Sequence, residues 1–459
     1  MKQILILGLA SVLLFSSFKE KNEVTLTVEI KNFDPDLIRI WDVFGEMNWQ
    51  DHLKRDGRKF VIALPIDKPS MRTFQYGSNS KRIFLSSGQS LEISFDAKNF
   101  DTTFNYGGSL AKENAIFDSV VKQIEKVDYK YLYVQPLEIA LSYIDSAMHA
   151  NNQYFEKLVT GKKTSSVFID FTKATILYFS ANLKLDILER YKGVNDSNLY
   201  SFLNQITIEN DKYIDNPYYK WFLGAYISME TDKRYDKLDS LKKLSPDANF
   251  DAMLKVIEKV KNQNVRESSL ASAINSRLTG NGIKNFDKYY DYFKKHNTNP
   301  TYSEVIRKQY EKKQLLAPGK PAPQFTLTDV DGNEVSLDDF KGKYVLIDFW
   351  QTLCSRSARE LPHYLKLYSD YKDENIAFVS ISVNQDENVW RDYVKKNKNV
   401  GVSLRTEKSF GSEVYKAYQV PGLPSFVIID KEGNIIDAPA RKPSSKEIRE
   451  TLDHFLKSK

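Results

Sequence analysis

The sequence predicts a multidomain protein with an N-terminal all-β domain, a helical middle region and a C-terminal α/β domain. Polar and apolar residues alternate along 24–30 and 91–95, the period-two pattern of strands with one buried face. From about residue 111 the apolar spacing changes to three and four, as in amphipathic helices. After residue 317, strand-like apolar runs alternate with helical segments, which is typical of a sheet covered on both faces. A chain of 459 residues also exceeds the size of one hydrophobic core.

Residues 1–20 have the features of a secretory signal peptide. Lys2 precedes an apolar stretch over 4–15, and charged residues follow at 19–21. The stretch is shorter than the roughly 20 apolar residues of a membrane-spanning helix. We therefore expect an exported, periplasmic protein. The alternative is an uncleaved segment that anchors the chain, and membrane association is expected only through this segment.

Residues 22–108 are predicted to form a β-sandwich-like domain, either an antiparallel sandwich or a meander. Turn signals at Asp56-Gly57 and Ser87-Gly88 separate its strand-like runs. His52 lies among polar residues and is expected to be solvated. No catalytic constellation is evident in this segment.

Residues 109–316 are predicted to be α-helical, with helices near 113–126, 139–158, 168–191 and 250–262. His149 and His296 have no second histidine or carboxylate at metal-ligand spacing, so no metal site is predicted. We expect this region to be a spacer or a partner-binding surface.

Charge and motifs exclude several classes of function. The net charge of +6 comes from 66 basic and 60 acidic residues without a long basic run, so no nucleic-acid partner is predicted. The sequence has no phosphate-binding loop and no dinucleotide fingerprint. No cofactor is therefore expected.

Residues 317–459 are predicted to form the α/β domain, beginning with a proline-rich segment. Its expected elements are a hairpin over 324–328 and 334–337, a strand over 343–349, a helix beginning at Cys354, a strand over 376–383, a helix over 390–398, a hairpin over 425–430 and 434–437, and a helix over 445–457.

Features of this domain converge on Cys354, the only cysteine of the chain. A cysteine at the start of a helix meets free N–H groups and the positive end of the helix dipole, which favour the thiolate. Asp348 would lie under the site on a buried strand, and Pro362 would kink the helix. Pro424 precedes an apolar strand and is well placed for a cis peptide bond facing the thiol.

Four motifs carry a resemblance to a known family: 349–354 (FWQTLC), 360–362 (ELP), 422–425 (GLPS) and 430–433 (DKEG). Over 317–459 the chain resembles the thioredoxin superfamily, specifically the exported thiol–disulfide oxidoreductases of the TlpA and ResA type, which are related to the AhpC/TSA redoxins. The resemblance implies a thioredoxin fold acting on protein thiols and disulfides or on low-molecular-weight thiols. It further implies the following site residues: Cys354 as nucleophile, Ser357, Asp348 and Glu360 beside it, Pro424 shaping the groove, and Trp350, Leu353, Arg356 and Leu423 lining it.

The chain departs from the family pattern at the second cysteine, which is Ser357, and at Leu353, which replaces a tryptophan. Such a site can form a mixed disulfide but cannot close an internal one, so we expect monothiol exchange through Cys354, with Arg356 and Ser357 stabilising the thiolate. The alternative is a non-catalytic binding or scaffold protein with a degenerate thioredoxin fold. A one-cysteine peroxidase is a minor third alternative, since the Pro-x-x-x-Thr-x-x-Cys pattern is absent around Thr352.

Overall fold

The computed structural model describes residues 23–32, 38–42, 45–46, 53–56, 59–77, 79–191, 197–234, 247–384, 386–396, 400–407 and 411–457. The expected signal peptide over 1–20 and His52 lie outside these residues. The chain forms two compact units, Met1–Ser269 and Leu270–Lys459. No helix in the described part of the chain is long and apolar enough to cross a bilayer.

The first unit begins with two β-sheets. Their strands are β1 (Glu23–Lys31), β2 (Ile38–Asp42), β3 (Gly45–Glu46), β4 (Leu53–Asp56), β5 (Lys59–Pro65), β6 (Ser70–Tyr76), β7 (Asn79–Leu85), β8 (Ser90–Asp96) and β9 (Asn105–Gly107). One sheet has the order β4-β5-β1-β8-β9 and the other the order β3-β2-β6-β7. Phe74 of the second sheet meets Phe95 of the first, with ring centroids 6.0 Å apart, so the two sheets share an aromatic layer.

The direction of one strand pair corrects the expectation of a wholly antiparallel domain. β1 pairs antiparallel with β5 but parallel with β8. Alternation along a strand identifies its buried face, but it says nothing of the neighbouring strand or its direction. The parallel pair was therefore not readable from the sequence.

Within the described residues, the helices are α1 (Phe100–Thr103), α2 (Ala111–Ile124), α3 (Tyr129–Leu132), α4 (Leu137–Val159), α5 (Ser166–Arg190), α6 (Pro217–Arg234), α7 (Ala248–Ile257), α8 (Gln263–Asn281), α9 (Asp287–His296), α10 (Pro300–Gln314), α11 (Ser355–Tyr371), α12 (Glu387–Lys396), α13 (Glu413–Ala417) and α14 (Lys446–Lys457). The four helices predicted in the middle region correspond to α2, α4, α5 and α7. Buried Asn114 of α2 bonds both the N–H and the C=O of Phe84, which attaches this helix to β7.

A seven-stranded sheet organises the second unit. Its strands are β10 (Thr326–Asp329), β11 (Glu334–Ser336), β12 (Tyr344–Trp350), β13 (Ile376–Ser382), β14 (Val402–Arg405), β15 (Ser425–Ile429) and β16 (Ile435–Ala440). Their order is β11-β10-β14-β13-β12-β15-β16, with β12 parallel to β13 and antiparallel to β15. The sequence did not predict β14 or α13, because runs of four and five residues are too short for a periodic pattern.

Side chains alternate across the central strand β12 and build a core on each face of the sheet. Ile347 and Phe349 join one core, whereas Leu346 joins the other, together with Leu367 of α11 and Leu452 of α14. Asp348 follows Leu346 by two positions and therefore shares the face covered by α11. The strand register thus places a carboxyl group between the sheet and the helix that Cys354 begins.

Helix α10 and the residues after it pack with the second unit. Lys313, 5% exposed, donates to the carbonyl of Gln419 at 3.4 Å, and Leu316 is part of the core that contains Phe349. The compact unit therefore begins before the predicted division between residues 316 and 317. The predicted boundary between the helical region and the thioredoxin-like domain was based on the proline-rich stretch after residue 316. As a domain boundary it stays a prediction.

Candidate active site

Cys354 occupies the N-cap position of α11, with φ −84° and ψ 108°. Its carbonyl accepts the first helical hydrogen bond, from Ala358 N at 3.0 Å, while its side chain is partly exposed and free of any disulfide. The thiol lies 3.7 Å from the carbonyl oxygen of Leu423, toward which it can donate. The predicted start of a helix at this cysteine is confirmed.

Two opposing effects set the acidity of this thiol. Burial raises the pKa of Cys354. Hydrogen bonds from the hydroxyl and backbone N–H of Ser357, followed by those from the backbone and side chain of Arg356, together lower the pKa by a larger amount. The pKa therefore lies below its ordinary value. The N–H groups at the start of a helix stabilise an anion in this way.

Ser357 stands in the first turn of α11 and is 8% exposed. Its Oγ makes no hydrogen bond of ordinary geometry to the described residues. The hydroxyl is thus uncommitted and can serve as a donor once Cys354 ionises, which is how it lowers the pKa of that thiol.

The peptide bond between Leu423 and Pro424 is cis, as the sequence predicted. The side chain of Leu423 is 6% exposed and belongs to the core, so this residue faces the site with its carbonyl. Pro424 is half-buried and lines a small cavity beside α11.

Asp348 is 8% exposed, and burial, followed by the charge of Glu360, raises the pKa of its carboxyl group to about 8. Both acids line the cavity that Pro424 and Ser357 also line. Glu360 is anchored at the rim, where its carboxylate accepts from the N–H and hydroxyl of Ser444 at 3.2 and 2.9 Å. The structure therefore brings the two predicted acids and Ser357 together.

The remaining predicted groove residues occupy different environments. Leu353 is 87% exposed and Arg356 is also exposed, next to the cysteine in sequence. Trp350 is 7% exposed and packs with Trp390 of α12 in a buried cluster. The indole therefore supports the site from within rather than presenting a surface to a substrate.

Asn384 is a positioning residue that the sequence analysis missed. It is 4% exposed, its Oδ1 accepts from Thr352 N at 3.0 Å and from the hydroxyl of Ser382 at 2.8 Å, and its Nδ2 donates to Thr352 Oγ1 at 2.6 Å. The side chain thereby fixes the loop that carries Cys354. The one signal for Asn384 in the sequence is that a polar amide follows directly after an apolar strand. The same pattern is expected wherever a strand ends, so it does not identify a positioning residue.

The described residues contain no cluster of three or more histidine, cysteine or acidic side chains arranged to hold a metal ion. What the site offers chemically is one accessible acidic thiol, hydrogen-bond donors for its thiolate and a backbone acceptor beside it.

Comparisons with known proteins point to the same part of the chain. The AhpC/TSA family model matches residues 318–438. Thiol-disulfide oxidoreductase ResA of Bacillus cereus is 30% identical over 148 residues, which cover 32% of this chain and 82% of ResA. ResA of Bacillus subtilis is 30% identical over 125 residues, 27% of this chain and 68% of its own.

Among solved structures, the thioredoxin domain of a thiol-disulfide oxidoreductase from Bacteroides vulgatus is 34% identical, with a TM-score of 0.29, and the match covers 31% of this chain and 99% of that domain. The identity to ResA over most of its length assigns the family. Through its C-terminal part, the chain belongs to the thioredoxin-like family of the TlpA/ResA type.

Proposed function

We propose that this chain is an exported protein that carries out thiol–disulfide exchange through a single thiol, Cys354. The observation that carries the proposal is the partly exposed thiol at the start of α11, whose pKa is lowered by donors from Ser357 and Arg356. Relatives named thiol-disulfide oxidoreductase ResA share 30% identity over this domain, which supports the same chemistry here. Export rests on the apolar segment over 4–15.

The first step is attack by the Cys354 thiolate on one sulfur of a substrate disulfide. The S–S bond breaks, its second sulfur leaves with the electron pair and takes a proton from solvent, and a mixed disulfide with Cys354 remains. The carbonyl of Leu423, 3.7 Å from the sulfur, offers an acceptor for a backbone N–H of a peptide bound there.

The second step needs a thiol from outside the chain. Ser357 carries a hydroxyl and cannot attack sulfur, and the sequence has no other cysteine. A protein thiol or a low-molecular-weight thiol therefore attacks the substrate sulfur of the mixed disulfide, and Cys354 leaves as the thiolate. Donors from Ser357 and Arg356 stabilise that leaving group, so the features that activate the nucleophile also speed its release.

Intermolecular resolution makes the mixed disulfide long-lived. Well-oriented groups within one molecule reach effective molarities on the order of 10⁵ M, far above the concentration of any free thiol. Without that advantage, the adduct persists until a suitable thiol arrives. The protein therefore acts as a carrier of one thiol partner rather than as an efficient dithiol reductase.

The test is to alkylate Cys354 as a function of pH and then to trap its adducts. We expect an alkylation midpoint below the free-thiol value of about 8.5, and mixed disulfides recovered after acid quenching that dithiothreitol releases. Cys354→Ser is the control and should recover no disulfide-linked species. An alkylation midpoint at or above the free-thiol value, together with no recovered mixed disulfide, would overturn the proposal.

A second candidate, binding without redox turnover, is favoured by one observation. Leu353 is 87% exposed directly before the cysteine, so an apolar side chain is accessible to a partner beside the thiol. In that case Cys354→Ala would retain the affinity for a partner, whereas Leu353→Asp would lose it. Under the exchange proposal, capture depends on the sulfur of Cys354.

A further inference from the structure

Helix α10 ends against the loop that presents the Leu423 carbonyl to the thiol. The helix spans Pro300–Gln314 and therefore precedes residues 318–438, which the AhpC/TSA family model matches. The loop begins at Gln419, after α13, and ends where β15 starts. Both segments belong to the second compact unit. A helix outside the family match thus contacts a loop of the candidate active site.

Two hydrogen bonds join the last turn of α10 to Gln419. The ammonium of Lys313 donates to the backbone carbonyl of Gln419 at 3.4 Å, and the side-chain amide of Gln419 donates to the carbonyl of Lys312. The last four carbonyls of an α-helix have no N–H partner one turn further on, so this amide also caps α10. The two bonds run in opposite directions and together fix the backbone and the side chain of one residue.

The backbone of Gln419 depends on such support, because it is left-handed. Its φ is +48°, a region that residues with a β-carbon rarely occupy, since the β-carbon then crowds the following carbonyl oxygen. A strained conformation of this kind persists only where the surrounding contacts determine it. The bonds from α10 supply such contacts at the residue where the chain leaves α13 and enters the loop.

The burial of Lys313 indicates that its contact with Gln419 has a purpose. The side chain is 5% exposed, and its ammonium forms no ion pair with an acid of the described residues. Burial, followed by the charge of Lys312, lowers the pKa of Lys313 to about 8, so the group is still mostly protonated at neutral pH. A hydrogen bond from a charged donor is stronger than one from a neutral donor. A buried charge costs free energy unless a specific contact compensates for it, and the Gln419 carbonyl is that contact.

The loop carries the position of Gln419 to the thiol over a short stretch of buried chain. Val420 and Leu423 are 8% and 6% exposed and pack in the core that also contains Leu316, just after α10. The Leu423 carbonyl lies 3.7 Å from the sulfur of Cys354. Because the segment between Gln419 and Leu423 is short and packed, a shift at its first residue displaces this carbonyl.

We propose that Lys313 and Gln419 are positioning residues of the exchange site, through which α10 holds the Leu423 carbonyl where a substrate peptide binds beside Cys354. The inference rests on the proposed function, because it assigns a part in peptide binding to a helix that precedes the family match. Loss of either bond should slow the reaction with peptide disulfides and leave the intrinsic reactivity of the thiol unchanged. A role in stability alone would not separate these two rates.

The test compares two disulfide probes with the full-length protein at neutral pH. One is a single-cysteine peptide joined through a disulfide to thionitrobenzoate, and the other is the symmetrical disulfide of thionitrobenzoate, which has no peptide backbone. In both reactions the Cys354 thiolate attacks one sulfur, the S–S bond breaks, and thionitrobenzoate leaves with the electron pair as a coloured thiolate. Absorbance therefore gives both rates, and the peptide probe alone can donate a backbone N–H to the Leu423 carbonyl.

Lys313→Met and Gln419→Ala should each lower the rate with the peptide probe by about tenfold, the effect of losing one hydrogen bond. The rate with the symmetrical probe should not change. Lys308→Met is the matched control, since it makes the same substitution at an exposed position of α10, and it should alter neither rate. An unchanged ratio of the two rates in both test variants, or an equal fall in both rates, would overturn the proposal.

Hydrogen–deuterium exchange provides a second measurement, which does not depend on the reactivity of the thiol. The backbone amides of Gln419 and Val420 donate to carbonyls of α13. We expect their deuterium uptake to be about tenfold faster in Lys313→Met and in Gln419→Ala, but not in Lys308→Met. Unaltered uptake in both test variants would overturn the proposal even if neither probe reacted. Absence of any reaction in the unaltered protein would contradict the proposed function instead, so the two failures are distinguishable.

Discussion

At position 357 a hydroxyl occupies the place from which a second thiol would reach Cys354. The two groups differ little in size, but only a thiolate attacks a disulfide at a useful rate. Ser357 is buried in the first turn of α11 and has no competing partner among the described residues. What the residue retains is the ability to donate a hydrogen bond to a neighbouring sulfur.

Ser357→Cys is expected to restore an internal disulfide with Cys354. Both side chains lie in the first turn of the same helix, and the substitution adds little volume to the site. We expect the oxidised variant to lose both free thiols and its insulin reduction to rise about tenfold or more over the unaltered protein, because the resolving thiol is intramolecular. Thiol titration and insulin turbidity measure the two results.

Ser355→Cys is the matched control for that variant, since it adds a cysteine to the same turn at an exposed position. Adjacent cysteines fit disulfide geometry poorly, so this variant should gain no reductase activity. Equal gains in reductase activity in both variants would mean that position 357 has no geometric advantage over position 355 for forming a disulfide with Cys354.

The loop between β12 and α11 is the element that presents the thiol, and Asn384 holds it from the end of β13. Three hydrogen bonds converge on this side chain, two of them from or to Thr352. The carboxyl end of the sheet thereby becomes a rigid support for the cysteine, which is what a site needs to keep its geometry.

Asn384→Ala should therefore lower the free energy of unfolding of the second unit by about 1–3 kcal/mol, because it leaves buried groups of Thr352 and Ser382 unpaired. The measurement is a urea titration in which exposure of Cys354 to a thiol reagent reports unfolding of this unit. Asn388→Ala, on the exposed face of α12, is the control and should change the free energy by less than about 0.5 kcal/mol. A comparable loss in the two variants would contradict the role of Asn384.

Helix α10 contributes a buried lysine whose titration is predictable. Burial, followed by the charge of Lys312, lowers the pKa of Lys313 to about 8 from its ordinary value of 10.5. Between these values the unfolded chain holds a proton that the folded state has released, so stability should rise with pH across this window, by at most about 1.4 kcal/mol per pH unit. Lys313→Met should flatten that rise in urea titrations, whereas Lys312→Met, at the exposed neighbouring position, should keep it.

The sequence predicted the elements of the C-terminal domain that have strong patterns. The buried strand before Cys354, the helix that begins there and the cis peptide bond at Pro424 are all present. The missed features depend on contacts between distant segments: the parallel pair of β1 and β8, and the bonds from Asn384 to a loop on another strand. Local periodicity carries no information about either.

The same limit applies to the candidate site. The place of Asp348 on a buried strand predicted that it would lie near the cysteine, and the family resemblance implied the same of Glu360. Both line one cavity with Ser357. That Trp350 would turn inward to this cavity could not be read from the sequence. The strand was predicted to end at residue 349, whereas β12 continues to Trp350, which therefore shares the face of Asp348 two positions earlier.

At the scale of the whole molecule, two buried carboxyl groups should shape the dependence of stability on pH. Burial raises the pKa of Asp348 to about 8, and burial raises that of Asp437 to about 6 against the opposing charges of Lys284 and Arg441. In both cases the folded state keeps a proton that the unfolded chain has lost. The resulting stability is fully present below about pH 4 and is lost as the pH rises through each folded-state value.

Asp348→Asn should therefore remove the decline in stability between about pH 6 and 8, where Asp437 no longer contributes. Asp437→Asn should only lessen the decline below about pH 6, because Asp348 also contributes there. Urea titrations of both variants at half-unit pH steps give the comparison. A decline above pH 6 that persists unchanged in Asp348→Asn would assign it to another titratable group and contradict the role of Asp348.

The position of Leu316 has a practical consequence for anyone who isolates the C-terminal part of the chain. This side chain is 1% exposed within the core that contains Phe349, and Lys313 bonds the carbonyl of Gln419 one turn earlier. A recombinant fragment that starts at residue 317 would expose this core to water and leave that carbonyl unpaired. Low solubility or weak protease resistance in such a fragment would then reflect the cloning boundary and not the domain itself, and a start at or before Leu270 would keep the whole compact unit.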